Sequence, residues 1–199
     1  MAATSDMRHV TARGLSAALL LALAMWPARG GVALGQEPVA SRQKHFIASQ
    51  DQPVKVEFVT EHECMQRGGH TRIGILFDIE KGWHIYAEKP GDAGLPTTVV
   101  WGMKLDLAGV EIGPLHWLNP EEFIDPGDIR TFGYKDRVLL WSDLRVTEKL
   151  RSMTVPLTAK VSWLACKEIC IPGSAELNYG MVVQDKQPLS ADAALFPRE

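Results

Sequence analysis

Thr154-Val155-Pro156-Leu157-Thr158-Ala159-Lys160-Val161-Ser162-Trp163 alternates between polar and apolar side chains, and Ala175-Glu176-Leu177-Asn178-Tyr179 takes up the alternation again. A period of two places every second side chain on one face of a sheet, which predicts two half-buried strands. Between them lies Trp163-Leu164-Ala165-Cys166-Lys167-Glu168-Ile169-Cys170-Ile171-Pro172. A tight three-residue turn between antiparallel strands sets its flanking residues about 4.5 to 5.5 Å apart. A disulfide needs Cα atoms about 4.4 to 6.8 Å apart, so Cys166 and Cys170 can form a local bridge. Such a ring of about five residues stabilises by only about 2 kcal/mol in the loop-closure picture. The spacing therefore favours redox exchange, and leaves a structural staple and a metal site open.

The rest of the chain reads in the same way, as all-β. Candidate strands are Val54 to Thr60, Thr71 to Glu80, Trp83 to Glu88, Thr97 to Trp101, Leu105 to Ile112, Val138 to Val146, Thr154 to Ala165 and Ala175 to Val183. Their number and spacing predict a sandwich. Turn chemistry separates them at Arg67-Gly68-Gly69-His70, Lys81-Gly82 and Lys89-Pro90-Gly91-Asp92-Ala93-Gly94. Leu118 to Tyr134, with Pro120, Pro126, Gly127 and Gly133, is expected to be a long functional loop carrying Phe123, Phe132 and Tyr134. The expected organisation is a signal peptide at 1–35, an extended arm at 36–53, a β domain at 54–183 and a polar tail at 184–199 with a weak helical tendency. No internal repeat or low-complexity tract interrupts it.

The N-terminus bears on the compartment. Arg8 and Arg13 precede an apolar run, Leu15 to Trp26, that matches a signal-peptide core and is too short to span a bilayer. Small residues at Ala33-Leu34-Gly35 predict cleavage near Gly35, an uncleaved anchor being the alternative. No cysteine lies at that junction to take a lipid. Cleavage removes Arg8, Arg13, Arg29 and Asp6, leaving 18 basic against 23 acidic residues and a net charge of −5. That balance argues against nucleic acid as a partner. The remaining 164 or so residues are enough to bury a core without disulfides. An exported chain meets an oxidising compartment, where thiols stay reduced only if electrons are supplied.

Thiol exchange needs an accessible thiolate. Lys167 favours that charge beside Cys166, and Glu168 opposes it. Trp163, alternating in a late strand, is expected in the core. Cys64, in Glu61-His62-Glu63-Cys64-Met65, is expected to be a buried bystander, with a free thiol or an intermolecular link as alternatives. His62, Cys64 and His70 match no strong metal-ligand spacing.

Gly82-Trp83-His84-Ile85-Tyr86, Lys89-Pro90-Gly91-Asp92-Ala93-Gly94-Leu95-Pro96-Thr97, Trp117 with Pro120-Glu121-Glu122-Phe123, Phe132-Gly133-Tyr134 and the segment Trp163 to Pro172 occur in this order. Together they resemble the N-terminal periplasmic domain of the DsbD/ScsB family of thiol:disulfide interchange proteins, over about residues 54 to 183. The resemblance implies an immunoglobulin-like antiparallel β-sandwich that needs no cofactor and no metal. It also implies an electron relay through Cys166 and Cys170, acting as a protein-disulfide reductase. The donor is a thioredoxin-like or membrane-embedded protein, and the recipients are periplasmic disulfide-containing clients. The family's cap loop shields its cysteines with an aromatic side chain, a role that falls to Phe123, with Phe132 and Tyr134 as fallbacks. The family's tyrosines near the cysteines fall at His84 and Tyr86, which makes His84 a candidate for moving protons.

Family members are usually fused to transmembrane and thioredoxin-like domains, whereas this sequence stops after the β domain, so the expectation is either a donor that is a separate protein or a domain that has lost the relay function. Its cysteine spacing is also narrower than in the best-known enteric member. Two other readings remain. In one, the cysteines hold Cu(I) with His84, Met65 or Met103. In the other, the sandwich is structural and its bridge inert. No nucleophile elbow or zinc-protease helix motif points to a hydrolase.

Overall fold

The alternation along Thr154–Cys166 is realised as a two-sided strand. Val155, Leu157, Ala159, Val161, Trp163 and Ala165 are buried on one face, while Thr154, Lys160 and Ser162 are exposed on the other. The computed structural model describes residues 52–103, 107–185 and 190–198. The expected signal peptide, its expected cleavage site and nearly all of the expected arm fall outside the described residues.

The strands are β1 Val54–Thr60, β2 Cys64–Met65, β3 His70–Ile79, β4 His84–Gly91, β5 Thr98–Met103, β6 Val110–Ile112, β7 Glu121–Asp125, β8 Ile129–Lys135, β9 Arg137–Val146, β10 Thr154–Cys166 and β11 Cys170–Val183. They form two sheets, one ordered β1-β3-β9-β6 and the other β2-β11-β10-β4-β8-β7, with β5 also paired to β10. Every pairing is antiparallel except the short parallel contact of β2 with β11. The expected all-β, immunoglobulin-like sandwich is the observed fold.

The inner faces close over two apolar clusters. Nearer the cysteines, Val56, Ile75, Phe77 and Leu140 meet Ile85, Tyr134, Val161, Trp163 and Leu177. Toward the other end, Met65, Ile73, Leu144 and Val146 meet Val155, Leu157 and Met181. Burial on this scale, about 25 cal/mol per Å² of apolar surface, holds the layers together. Trp163 is a core residue, as its alternation predicts. It lies directly across from Gly173, where a Cβ would come within 2.3 Å of the indole, and its ring meets Phe77 edge-on at 6.1 Å.

Three expectations change. Leu118 to Tyr134 is not an open loop, because β7 and β8 within it form a hairpin turned at Pro126-Gly127-Asp128, with Gly127 and Asp128 at φ of 93° and 62°. Leu105 to Ile112 yields strand only at Val110–Ile112, after a turn through Gly109 at φ 92°; residues 104–106 lie outside the described ones. The tail is more than polar. Residues 190–198 cross the outer face of the first sheet, and Phe196 is buried on Val59, Leu76 and Leu139. Arg72 pins this segment, its guanidinium 5.2 Å above the Phe196 ring and donating to the Pro197 carbonyl at 2.6 Å. Its helical tendency amounts to one 3-10 turn at Ala193–Leu195.

Candidate functional site

Antiparallel register carries β10 and β11 without a slip from Thr154 opposite Val182 to Cys166 opposite Cys170. The last pair is bridged by a disulfide with Cα atoms 4.2 Å apart. Lys167, Glu168 and Ile169 make the turn, closed by a Lys167 N–H to Ile169 carbonyl hydrogen bond of 3.1 Å. The next strands extend the same row: Cys166 stands opposite His84 on β4, and His84 opposite Lys135 on β8. Residues directly opposite share a face, so these side chains lie together on the outer side of the sheet.

An outer-face position on this sheet is ordinarily wet, yet Cys166 is only 2% exposed, His84 6% and Tyr86 3%. Aromatic side chains pack around the His84 ring. Phe123 stacks on the His84 ring with centroids 4.4 Å apart and planes at 13°, while Tyr86 meets His84 edge-on at 5.2 Å. Gly94, at φ 96°, lies against Tyr86 so closely that a Cβ there would come within 2.5 Å of the ring. A glycine is required at that position both for its left-handed backbone and for the missing side chain. Cys170, by contrast, is exposed, and so is its neighbour Ile169.

Asp125 completes the cluster. It follows Phe123 by two residues on β7 and so shares its face. One carboxylate oxygen accepts from the Thr131 hydroxyl at 3.0 Å. The other lies 3.8 Å from His84 Nε2, a buried nitrogen without a hydrogen-bond partner. Burial holds the His84 imidazole below its ordinary pKa, and Asp125 works against that shift. Burial, followed by the Asp125 charge and its hydrogen bond, pushes the Tyr86 phenol up. At the rim, Lys135 pairs with Glu121 at 2.6 Å.

The structure thus gathers Cys166, Cys170, His84, Tyr86 and Phe123. Tyr134 is not in this group: it faces the inner cluster, donates its hydroxyl to the Leu118 carbonyl at 2.8 Å, and is pushed up to about 12, chiefly by burial. Phe132 is 37% exposed, on the side of the β7–β8 hairpin away from Phe123. Asp125 and Gly94 were not anticipated. Reading 121–125 as a strand would have put Asp125 beside Phe123.

Cys64 is buried, accepts from the Gln184 amide at 2.8 Å, and pairs through its backbone with Val182, at the far end of β11 from Cys170. Twelve residues at about 3.3 Å each separate the two by roughly 40 Å, too far for Cys64 to exchange with the pair. Met65 and Met103 sit at that far end as well, around Leu157 and Val183. His62 Nδ1 lies 3.0 Å from the Thr71 hydroxyl. Among the described residues no group of three or more His, Cys, Asp or Glu side chains is placed to hold a metal ion.

A comparison with curated proteins finds no match. Among solved structures, the N-terminal periplasmic domain of ScsB from Proteus mirabilis is 21% identical with a TM-score of 0.49, covering 68% of this chain and 50% of that one. The chain therefore spans about half the length of that relative. The DsbD N-terminal domain of Neisseria meningitidis in the reduced form is 18% identical with a TM-score of 0.37, covering 63% of this chain and 86% of that one. The yeast GGA1 GAE domain is 12% identical with a TM-score of 0.36, over 68% of this chain and 98% of that one. The family model described as thiol:disulfide interchange protein DsbD, N-terminal, matches residues 50–179. That span holds the described sandwich up to Tyr179 together with the Cys166–Cys170 bridge, and the chain belongs to this family of thiol:disulfide interchange domains.

Proposed function

We propose that the domain relays reducing equivalents in the periplasm through Cys166 and Cys170. The observation that carries this reading is the asymmetry of the bridge, with Cys170 exposed and Cys166 buried. In the reduced state the Cys170 thiolate attacks a client disulfide and forms a mixed disulfide. Cys166 then attacks the Cys170 sulfur, the client thiolate leaves, and the domain is left oxidised. A thioredoxin-like or membrane-embedded donor returns two electrons to the pair. Phe123 acts as the cap over Cys166, with His84 and Tyr86 beneath it, and Tyr134 braces the strand that carries them. The chain reaches the periplasm by the signal peptide at 1–35, cleaved near Gly35, and the working domain is 54–183. In the copper alternative Cys166 and His84 stay adjacent, but Met65 and Met103 are too distant to help.

The reduction potential of the pair tests this reading, by equilibration in dithiol buffers and counting of free thiols by mass after alkylation. A reversible transition between about −180 and −270 mV is expected of an exchange protein. A pair resisting reduction to below about −300 mV is a structural bridge and refutes the relay.

A further inference from the structure

We infer that His84, held by Asp125, is the base that takes the proton from Cys166 when the mixed disulfide is resolved. This rests on the relay proposed above, and supplies the step which that relay leaves without a proton acceptor. Once Cys170 is bonded to a client, Cys166 must become a thiolate to attack, because the thiol is a poor nucleophile. That residue is only 2% exposed, out of reach of bulk water. The basic side chain directly across the strand pair is His84. Facing side chains on adjacent strands have Cβ atoms about 4.5 to 5.5 Å apart.

The rest of the cluster suits a base. Phe123 fixes the ring plane at 4.4 Å. Nε2 points toward Asp125 Oδ1 at 3.8 Å and has no other partner, so a small ring movement completes that hydrogen bond when the ring becomes charged. Nδ1 is then the nitrogen left for the thiol. A carboxylate behind an imidazole holds its orientation and stabilises the imidazolium, the logic of a nucleophile–base–orienter triad. Burial keeps the resting ring neutral and able to accept.

The step balances. The Cys166 thiol gives its proton to His84, and the thiolate displaces the client sulfur from Cys170. The imidazolium then returns the proton to the departing client thiolate. No outside oxidant or reductant enters. Among the described residues, the charged and titratable groups around His84 are Asp125 and Glu121 from β7, Lys135 from β8, Tyr86 on its own strand, Cys166 on β10, and Lys167 of the turn, whose side chain lies against Gly82 two residues before His84. Lys135 is paired with Glu121, and the carboxylate that acts on the His84 ring is Asp125.

Reduced protein in a Cys64→Ala background, mixed with dithiobis(nitrobenzoate), separates the two steps. Attack by the exposed cysteine releases one nitrothiobenzoate, and ring closure releases the second. His84→Gln and Asp125→Asn are expected to leave the first release unchanged and to slow the second, by about 100-fold for His84→Gln, within the usual range for general base catalysis. In the His84 variant the second phase should then rise log-linearly with pH through the thiol range, and added imidazole should restore part of the rate. Second-phase rates within twofold of the parent, or equal slowing of both phases, overturn the inference. Peptide mass identifies the first adduct. An adduct on Cys166 overturns the order of attack in the relay, and the inference with it. An adduct on Cys170 with an unchanged second phase overturns the inference alone.

Discussion

Phe123→Ala probes the proposed cap directly. Its ring lies 4.4 Å from His84 at 13°, an arrangement that contributes about 0.5 to 1.5 kcal/mol beyond the area buried. A factor of ten corresponds to about 1.4 kcal/mol, so losing the stack should raise the uncovered population about 2- to 12-fold. Alkylation of Cys166 by iodoacetamide in a Cys170→Ser background reads that population, provided opening and reclosing are fast relative to the reaction. Peptide mass separates Cys166 from Cys64. Phe132→Ala is the control, since Phe132 sits on the other side of the same hairpin. The expected result is Cys166 alkylated 2- to 12-fold faster in Phe123→Ala and within twofold of the parent in Phe132→Ala. Equal rates in the parent and Phe123→Ala, or equal acceleration by both substitutions, would refute the assignment of Phe123 as the cover.

Gly173→Val forces a side chain into the Trp163 indole, 2.3 Å from a Cβ there, and should cost about 1 to 3 kcal/mol as overpacking, read from the urea midpoint. Phe196→Ala removes a ring that is 4% exposed and should cost about 2 kcal/mol, with faster amide exchange in residues 190–198. Because burial lowers the folded pKa of His84, the unfolded chain takes up this proton first as pH falls below about 6.5. Stability should therefore drop from pH 7 to 5.5 in thermal melts, and His84→Gln should flatten that slope. Glu61, held below the usual carboxylate range by hydrogen bonds from Arg72, loses its contribution only at lower pH.

Strands that bury one face were legible. Val54–Thr60 appears with the bounds its alternation suggested, and β3, β9 and β10 fall within a residue or so of theirs. β7 was not, because it is an edge strand with Glu121, Glu122 and Ile124 all exposed, so no alternation marks it. The available signal was the turn Pro126-Gly127-Asp128, flanked by short runs that pair as a hairpin. Missing that hairpin hid Asp125, whose place beside Phe123 follows from strand parity alone. The Cys166–Cys170 pairing was readable from the three-residue turn. The stacking of Phe123 on His84 was not, since it brings together residues from distant strands. The fit of Gly94 against Tyr86 likewise needs tertiary contact.

The unbroken ladder between β10 and β11 separates the redox state of the bridge from the fold. The backbone bonds that hold Cys166 opposite Cys170 come from the hairpin itself, and the ring closed by the bridge contains only three intervening residues. Opening so small a ring releases little chain entropy, and the inner clusters have no stake in it. Both oxidation states can then share one backbone, so gaining or losing two electrons requires no refolding. Amide exchange in β10 away from the turn should therefore be the same in the oxidised and reduced protein.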